Sequence, residues 1–191
     1  MCQTITEIEQ QTWLEGLKEF DAGNRLALMA VFAAFGEPIS YLDVGCGTGA
    51  MVKLARQLGI KGHGVDLLPN ESEWVRQHDL SYPFDWGWQF DLVTSIEVAE
   101  HIQPESAETF CDTLAKHVKL GGRLVLTAAI PGQVGYNHFN CQHPEYWRAK
   151  LMARGLRYAQ VETLRLVEMW THTHMATHWL EKNLQIFRRE V

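Results

Sequence analysis
Apolar residues in this chain fall in short continuous bursts separated by amphipathic stretches, a pattern that predicts buried parallel strands alternating with helices. Ile39 to Val44 is the first clear burst, and Ala50 to Leu58 follows it with apolar residues at helical spacing. Gly62 to Leu67 is a second strand ending in the carboxylate of Asp66, and Val75 to Leu80 a third with Asp79 near its end. Phe90 to Ile96 reads as a fourth and the run at Gly122 as a fifth. The connection from Leu68 to Glu73 is too short for a crossover helix and must be a turn. Ahead of the first strand, Thr4 to Ala34 predicts one or two amphipathic helices, with Thr4 as N-cap and Leu26, Met29, Ala30 and Phe32 toward the core. Leu156 to Thr163 and Asn183 to Arg188 read as two late strands.

Between the first strand and its helix lies Asp43-Val44-Gly45-Cys46-Gly47-Thr48-Gly49. Glycine allows positive φ and close approach of a ligand to the backbone. The spacing G-x-G-x-G departs from the G-x-G-x-x-G of dinucleotide sites, and Ala50-Met51 after the last glycine rules out a P-loop, which needs Lys and Ser or Thr there. A carboxylate at the end of the second strand, Asp66, is placed to accept hydrogen bonds from ribose hydroxyls. Asp79, at the third, is placed to accept one from an adenine amino group. Either acid alone reads equally well as a solvated strand-end carboxylate; the glycine turn beside them favours a nucleoside site.

Length and charge narrow the field. A chain of 191 residues suits one domain. A net charge of -6 lacks the basic excess that binds phosphate backbones, which disfavours a long nucleic acid as substrate. Cys2, Cys46, Cys111 and Cys141 form no C-x-x-C pair, and the first residues show no signal-peptide pattern, so the expectation is a reduced, cytoplasmic protein without a membrane span. Homodimer and protein partner both stay open.

On these residues the chain resembles the class I S-adenosylmethionine-dependent methyltransferases from about Ser40 to the C-terminus. The resemblance implies an α/β fold with a doubly wound, mostly parallel seven-stranded sheet whose last strand is antiparallel. It implies one methyltransferase domain over 1–191, with a helical segment at 1–36 and a Rossmann-like core at 37–191. Asp43, Gly45, Cys46, Gly47, Thr48 and Gly49 would lie along the methionine part of S-adenosylmethionine. Asp66 and Leu67 would meet the ribose, Asp79 and Leu80 the adenine, and Ile96 and Glu97 would complete the cofactor wall.

A second constellation follows the fourth strand, Glu97-Val98-Ala99-Glu100-His101. If the chain turns helical at Glu97, then Glu97, Glu100 and His101 share one face at the open edge of the sheet. Two carboxylates and an imidazole make a half-site for Mg²⁺ or Mn²⁺. The loop from Pro131 to Asn140 offers His138 as a further ligand. Glu-x-x-Glu-His is similar to a motif of the ubiquinone-pathway O-methyltransferases and of the enzymes that methylate the terminal 2′-hydroxyl of small RNAs. By that resemblance Glu97, Glu100, His101 and His138 hold a metal that engages vicinal hydroxyls. The plainer alternative is a helix-start carboxylate and an orienting histidine with no metal.

Catalytic candidates are therefore His138, His101 and His143, the last reading more plainly as a loop or cap histidine before Pro144. Metal ligand and general base are rival roles for His138. The histidines from His172 to His178 lack an acidic partner and read as a polar loop. Trp86 and Trp88 read as packing rather than as a cover for adenine. The expected reaction is O-methylation of a small hydroxylated molecule or sugar unit. The alternatives are an RNA-terminus 2′-O-methyltransferase and a non-catalytic, methyltransferase-like binding subunit.

Overall fold
The computed structural model describes residues 12–13, 15–70, 72–172 and 182–190. A short 3-10 turn, Lys18–Phe20, leads into α1, Asp21–Phe35. The elements then alternate: β1 Ser40–Val44, α2 Ala50–Gln57, β2 Lys61–Asp66, β3 Val75–Gln77 and β4 Phe90–Ile96. After two 3-10 turns come α3 Ala107–His117, β5 Val118–Thr127, α4 Pro144–Met152, β6 Leu156–Tyr158, α5 Gln160–His172 and β7 Gln185–Arg189.

The seven strands form one sheet in the order β3-β2-β1-β4-β5-β7-β6. Strands β1 to β5 pair in parallel, and β7 runs antiparallel to both β5 and β6. The order reverses at β1, so β1 and β4 part their loops at the carboxyl edge, where doubly wound sheets bind ligands.

Both faces of the sheet are covered, which is why its strands are continuously apolar instead of alternating. Leu42, Val93, Leu124, Leu126 and Phe187 point to one side, where Phe110 and Leu114 of α3 and Trp147 of α4 pack on them. Their chain neighbours Tyr41, Leu92, Val125 and Ile186 point to the other, against Leu28 of α1, Met51 of α2 and Trp170 of α5. At β2 the helix comes closest: a Cβ on Gly64 would lie 2.7 Å from Cys46 Sγ and 2.9 Å from Val52 Cγ2. Glycine there lets α2 sit directly on the sheet beneath the turn it follows.

Three details differ from the sequence reading. In α1, Ala30 and Phe32 are buried as expected, whereas Leu26 and Met29 are exposed, since Ala27, Leu28, Val31 and Ala34 supply the inner face. A helix apolar nearly all round does not reveal from its periodicity which side is buried. The sixth strand stops at Tyr158, and Thr163 belongs to α5, where its hydroxyl accepts the N–H of Ile186. Thr4 and most of the histidine-rich stretch after Thr171 lie outside the described residues. As expected, no helix separates β2 from β3, and Asn70 closes the connection as a turn by accepting the Ser72 N–H at 2.9 Å.

Candidate active site
Asp43 on β1, Asp66 at the end of β2 and Asp79 just past the end of β3 come to the carboxyl edge, and with the glycine turn they wall a cleft of about 1150 Å³. Gly45, Gly47 and Gly49 all take positive φ, at 83°, 50° and 75°. At Gly45 a side chain is excluded twice over, because its Cβ would also meet Val98 Cγ2 at 2.3 Å. The turn hangs on β2, where Gly45 and Cys46 donate their N–H groups to Val65 O. Gly45, Cys46, Gly47 and Thr48 line the cleft, while Gly49 caps α2 in the left-handed region.

Asp66 braces the turn: Oδ2 accepts the Gly47 N–H at 2.7 Å and Oδ1 the Leu68 N–H at 2.8 Å. Each oxygen keeps a lone pair for a ligand hydroxyl. Burial holds its pKa above the usual carboxylate range. Asp43 is almost fully buried at the bottom of the cleft, with Oδ1 accepting the Thr94 hydroxyl at 2.7 Å. Thr94 in turn lies 2.7 Å from the buried Tyr41 hydroxyl. Having donated its own proton to Asp43, Thr94 can only accept from Tyr41, so the relay runs Tyr41 to Thr94 to Asp43. Asp43 Oδ2 is left with no partner. Desolvation lifts the Asp43 pKa to about 7. Asp79 accepts the Ser81 N–H at 2.9 Å, and Leu67, Leu80 and Ile96 complete the wall.

The chain does not turn helical at Glu97. That residue is left-handed, with φ 53°, and the following turn is 3-10 over Ala99–His101. Glu97, Glu100 and His101 are therefore not stacked on one helical face. Glu100, His101 and His138 instead converge, each presenting one ligand atom within 4.8 Å of the others, and Glu97 is outside that trio. Glu97 Oε2 accepts Gln133 Nε2 at 3.1 Å, and Gln133 Oε1 accepts Asn183 Nδ2 at 3.0 Å. Glu100 is fully buried with neither carboxylate oxygen partnered. Burial, then the adjacent Glu97 carboxylate, pushes its pKa up.

The two imidazoles are oriented alike. His101 Nδ1 lies 3.1 Å from Asn137 O, and His138 Nδ1 3.2 Å from Gln133 O. A carbonyl only accepts, so both Nδ1 atoms carry the proton and both Nε2 atoms present a lone pair. Burial, helped by His138, depresses the His101 pKa to about 4, which keeps that ring neutral. His138 Nε2 stands 4.0 Å from Glu100 Oε1. His101 and Glu97 line the cleft, whereas Glu100 and His138 are not among its lining residues. His143 is exposed at the start of α4, away from this trio and from the cleft lining.

Trp86 and Trp88 do not line the cleft. Trp86 is buried against His63 and Phe90, and the Arg76 guanidinium covers its ring at 4.1 Å. The walls that sequence reasoning missed come from elsewhere. Trp13 lies 5.7 Å from the His101 ring and 6.2 Å from Tyr136. Asp21 at the start of α1 accepts the Thr48 hydroxyl at 2.6 Å, which ties the leading helix to the glycine turn. Tyr82, Glu105 and Phe139 complete the mouth.

The glycine turn, the three strand-end acids and the reversed strand order place this chain with proteins that bind a nucleoside cofactor, and residues 18–186 match a family described as a methyltransferase domain. The chain belongs to that family. It is 30% identical over 148 residues, 69% of this chain and 47% of the relative, to the mitochondrial ubiquinone biosynthesis O-methyltransferase of Schizosaccharomyces pombe. It thus spans less than half the length of the curated relatives it matches. Among solved structures, the sugar N-methyltransferase KedS8 of Streptoalloteichus superposes with a TM-score of 0.70 at 18% identity, covering 100% of this chain and 96% of that one. A TehB-like S-adenosylmethionine-dependent methyltransferase of Corynebacterium glutamicum gives 0.68 at 14%, covering 97% and 100%. These likenesses show the fold. No helix among the described residues is long and apolar enough to cross a membrane.

Proposed function
We propose that the protein is an S-adenosylmethionine-dependent methyltransferase acting on a small hydroxylated molecule or sugar unit, with a divalent ion at Glu100, His101 and His138. The observation that carries the cofactor is the unpartnered Asp43 Oδ2, buried beside a glycine turn that admits no side chain at Gly45. An ammonium group supplies the missing partner. Asp66 offers ribose hydroxyls the lone pairs its backbone bonds leave free, and Asp79 and Leu80 border the adenine end. Family membership and the names of the relatives support the same reading.

For the metal, the unpartnered Glu100 carboxylate and two imidazoles preset as Nε2 ligands form a fitting donor set. Two nitrogens and one oxygen favour Mn²⁺ over Mg²⁺, which prefers all-oxygen surroundings. When bound, S-adenosylmethionine supplies an electrophilic methyl group, and the ion lowers the pKa of a hydroxyl that it touches. This chain's part is orientation. The cleft would hold the acceptor and the cofactor together, and such positioning is worth several kcal/mol of the barrier. With its Nδ1 bonded to Asn137 O and its Nε2 committed to the ion, His101 would serve as a ligand, and the proton of the ion-polarised hydroxyl would pass to solvent.

Calorimetry with S-adenosylmethionine, with and without Mn²⁺, tests the reading. Micromolar binding that weakens about 10- to 100-fold in Asp66→Ala is expected, the worth of charge-assisted hydrogen bonds. Absence of binding by the native chain would overturn it. Glu100→Gln should leave that affinity within about twofold while removing Mn²⁺ dependence of methyl transfer, and full activity in thorough chelation would refute the metal.

A further inference from the structure
The described residues lining the cleft include six acids, Asp21, Asp43, Asp66, Asp79, Glu97 and Glu105, and no lysine or arginine. Residues 1–11, 14, 71, 173–181 and 191, which complete the chain, contain no lysine or arginine either. Sites for phosphate or carboxylate use Arg, Lys, metal ions or free backbone N–H groups as counter-charge. The Gly45, Cys46, Gly47 and Gly49 N–H groups are already taken by Val65 O, Asp66 and Cys46 O, and what the turn still offers would serve the cofactor's own carboxylate. S-adenosylmethionine brings one net positive charge, and an ion on Glu100 brings two. Those charges face the carboxylates of Asp43, Asp66, Glu97 and Glu100, and Asp21, Asp79 and Glu105 remain along the cleft, whose low-dielectric walls focus their field on whatever enters. The mouth is also aromatic: Tyr136 is 67% exposed, Tyr82 58% and Phe139 51%, with Trp13 beside Tyr136. Flat π faces next to carboxylates suit planar bodies and cations.

We infer that the acceptor is a neutral or positively charged molecule with a flat apolar body, and that acceptors bearing phosphate or carboxylate, an RNA end included, are turned away. The inference rests on the methyl-transfer reading of this cleft. Glu105 is the rim residue that sets the preference: it is exposed on the 3-10 turn Pro104–Ser106, apart from the glycine turn and the metal trio.

Three catechols that share ring and diol and differ in charge provide the test: dopamine, 4-methylcatechol and 3,4-dihydroxybenzoate. Each is titrated by calorimetry into the full chain loaded with S-adenosylhomocysteine and Mn²⁺. Dopamine and 4-methylcatechol should bind at least about tenfold more tightly than the benzoate, a gap that shrinks at high salt as screening requires. Glu105→Lys should narrow it several-fold. Equal affinities, tighter binding of the benzoate, no binding by any of the three, or a gap untouched by Glu105→Lys would each overturn the inference. S-adenosylmethionine binding, measured separately, decides the methyl-transfer reading, so the two failures are distinguishable.

Discussion

Asp43 has one oxygen held by Thr94 and the other free, in a place where water cannot repay the charge. Its pKa, raised to about 7 by burial, means that the folded state holds a proton which the unfolded chain releases near 3.9. Stability from this group is therefore full below about pH 4 and is lost as pH rises toward 7. Asp43→Asn should raise the Tm of the unliganded protein at pH 8, by about 2–4 °C per kcal/mol relieved, and should raise it less at pH 5. The same change should weaken S-adenosylmethionine binding, since a neutral amide attracts an ammonium poorly. Thermal scans at the two pH values, with calorimetry beside them, check both; a gain equal at pH 5 and pH 8 would contradict the assignment. Residues such as Asp43 and Asp66 were legible in the sequence because their position is local: an acid ending an apolar burst, next to glycines. Gln133 and Asn183 were not, because their partners lie 36 and 50 residues away and nothing near them in sequence marks the contact.

At the scale of elements, the loop from Pro131 to Asn140 brings His138 to Glu100 and His101 and so completes the proposed metal site. It is clamped at its far end by Glu100 O, which accepts the N–H groups of both Phe139 and Asn140 at 2.9 Å. At its near end Gln133 holds two groups at once: its side chain fixes Glu97, and its carbonyl fixes the tautomer of His138. Gln133→Ala keeps the carbonyl and removes only the side-chain bridge. It should lower kcat by about 10-fold or more, as loss of a positioning contact does, while the Kd for S-adenosylmethionine shifts less than about threefold. Steady-state kinetics and calorimetry on one preparation separate the two; an unchanged kcat would make the bridge merely structural. The sequence pointed to Glu100, His101 and His138, which do converge, but also to Glu97, which does not join them, and it did so through helical spacing that is absent. Helical spacing was expected to align Glu97, Glu100 and His101, whereas the left-handed Glu97 breaks the helix and the loop completes the cluster with His138. Identity was legible from residue type, and geometry was not, since a single backbone angle decided it.

Across the whole molecule, the acidic surface and the acidic cleft are one design with a cost in stability. Burial raises the pKa values of Asp43, Asp66, Glu97 and Glu100 together, so each charge added with rising pH works against the empty fold. His101 acts in the opposite direction. Its folded value near 4, below the unfolded 6.5, adds stability that is lost as pH falls from about 6.5 toward 4. Above pH 6.5 that histidine loses its influence and the carboxylates set the slope, joined toward pH 8.5 by the buried thiols of Cys46 and Cys111, whose raised pKa values act in the same direction. The unliganded protein should therefore lose Tm steadily from pH 6.5 to 8.5. If Mn²⁺ and S-adenosylmethionine bind the folded state as proposed, they would supply the missing positive charge, and together they should raise Tm most at the alkaline end. Scanning calorimetry across that range, with and without both ligands, reads the slope directly. A ligand-induced gain that is constant with pH would mean that the ligands stabilise by contact alone, and that the clustered carboxylates are not what they neutralise.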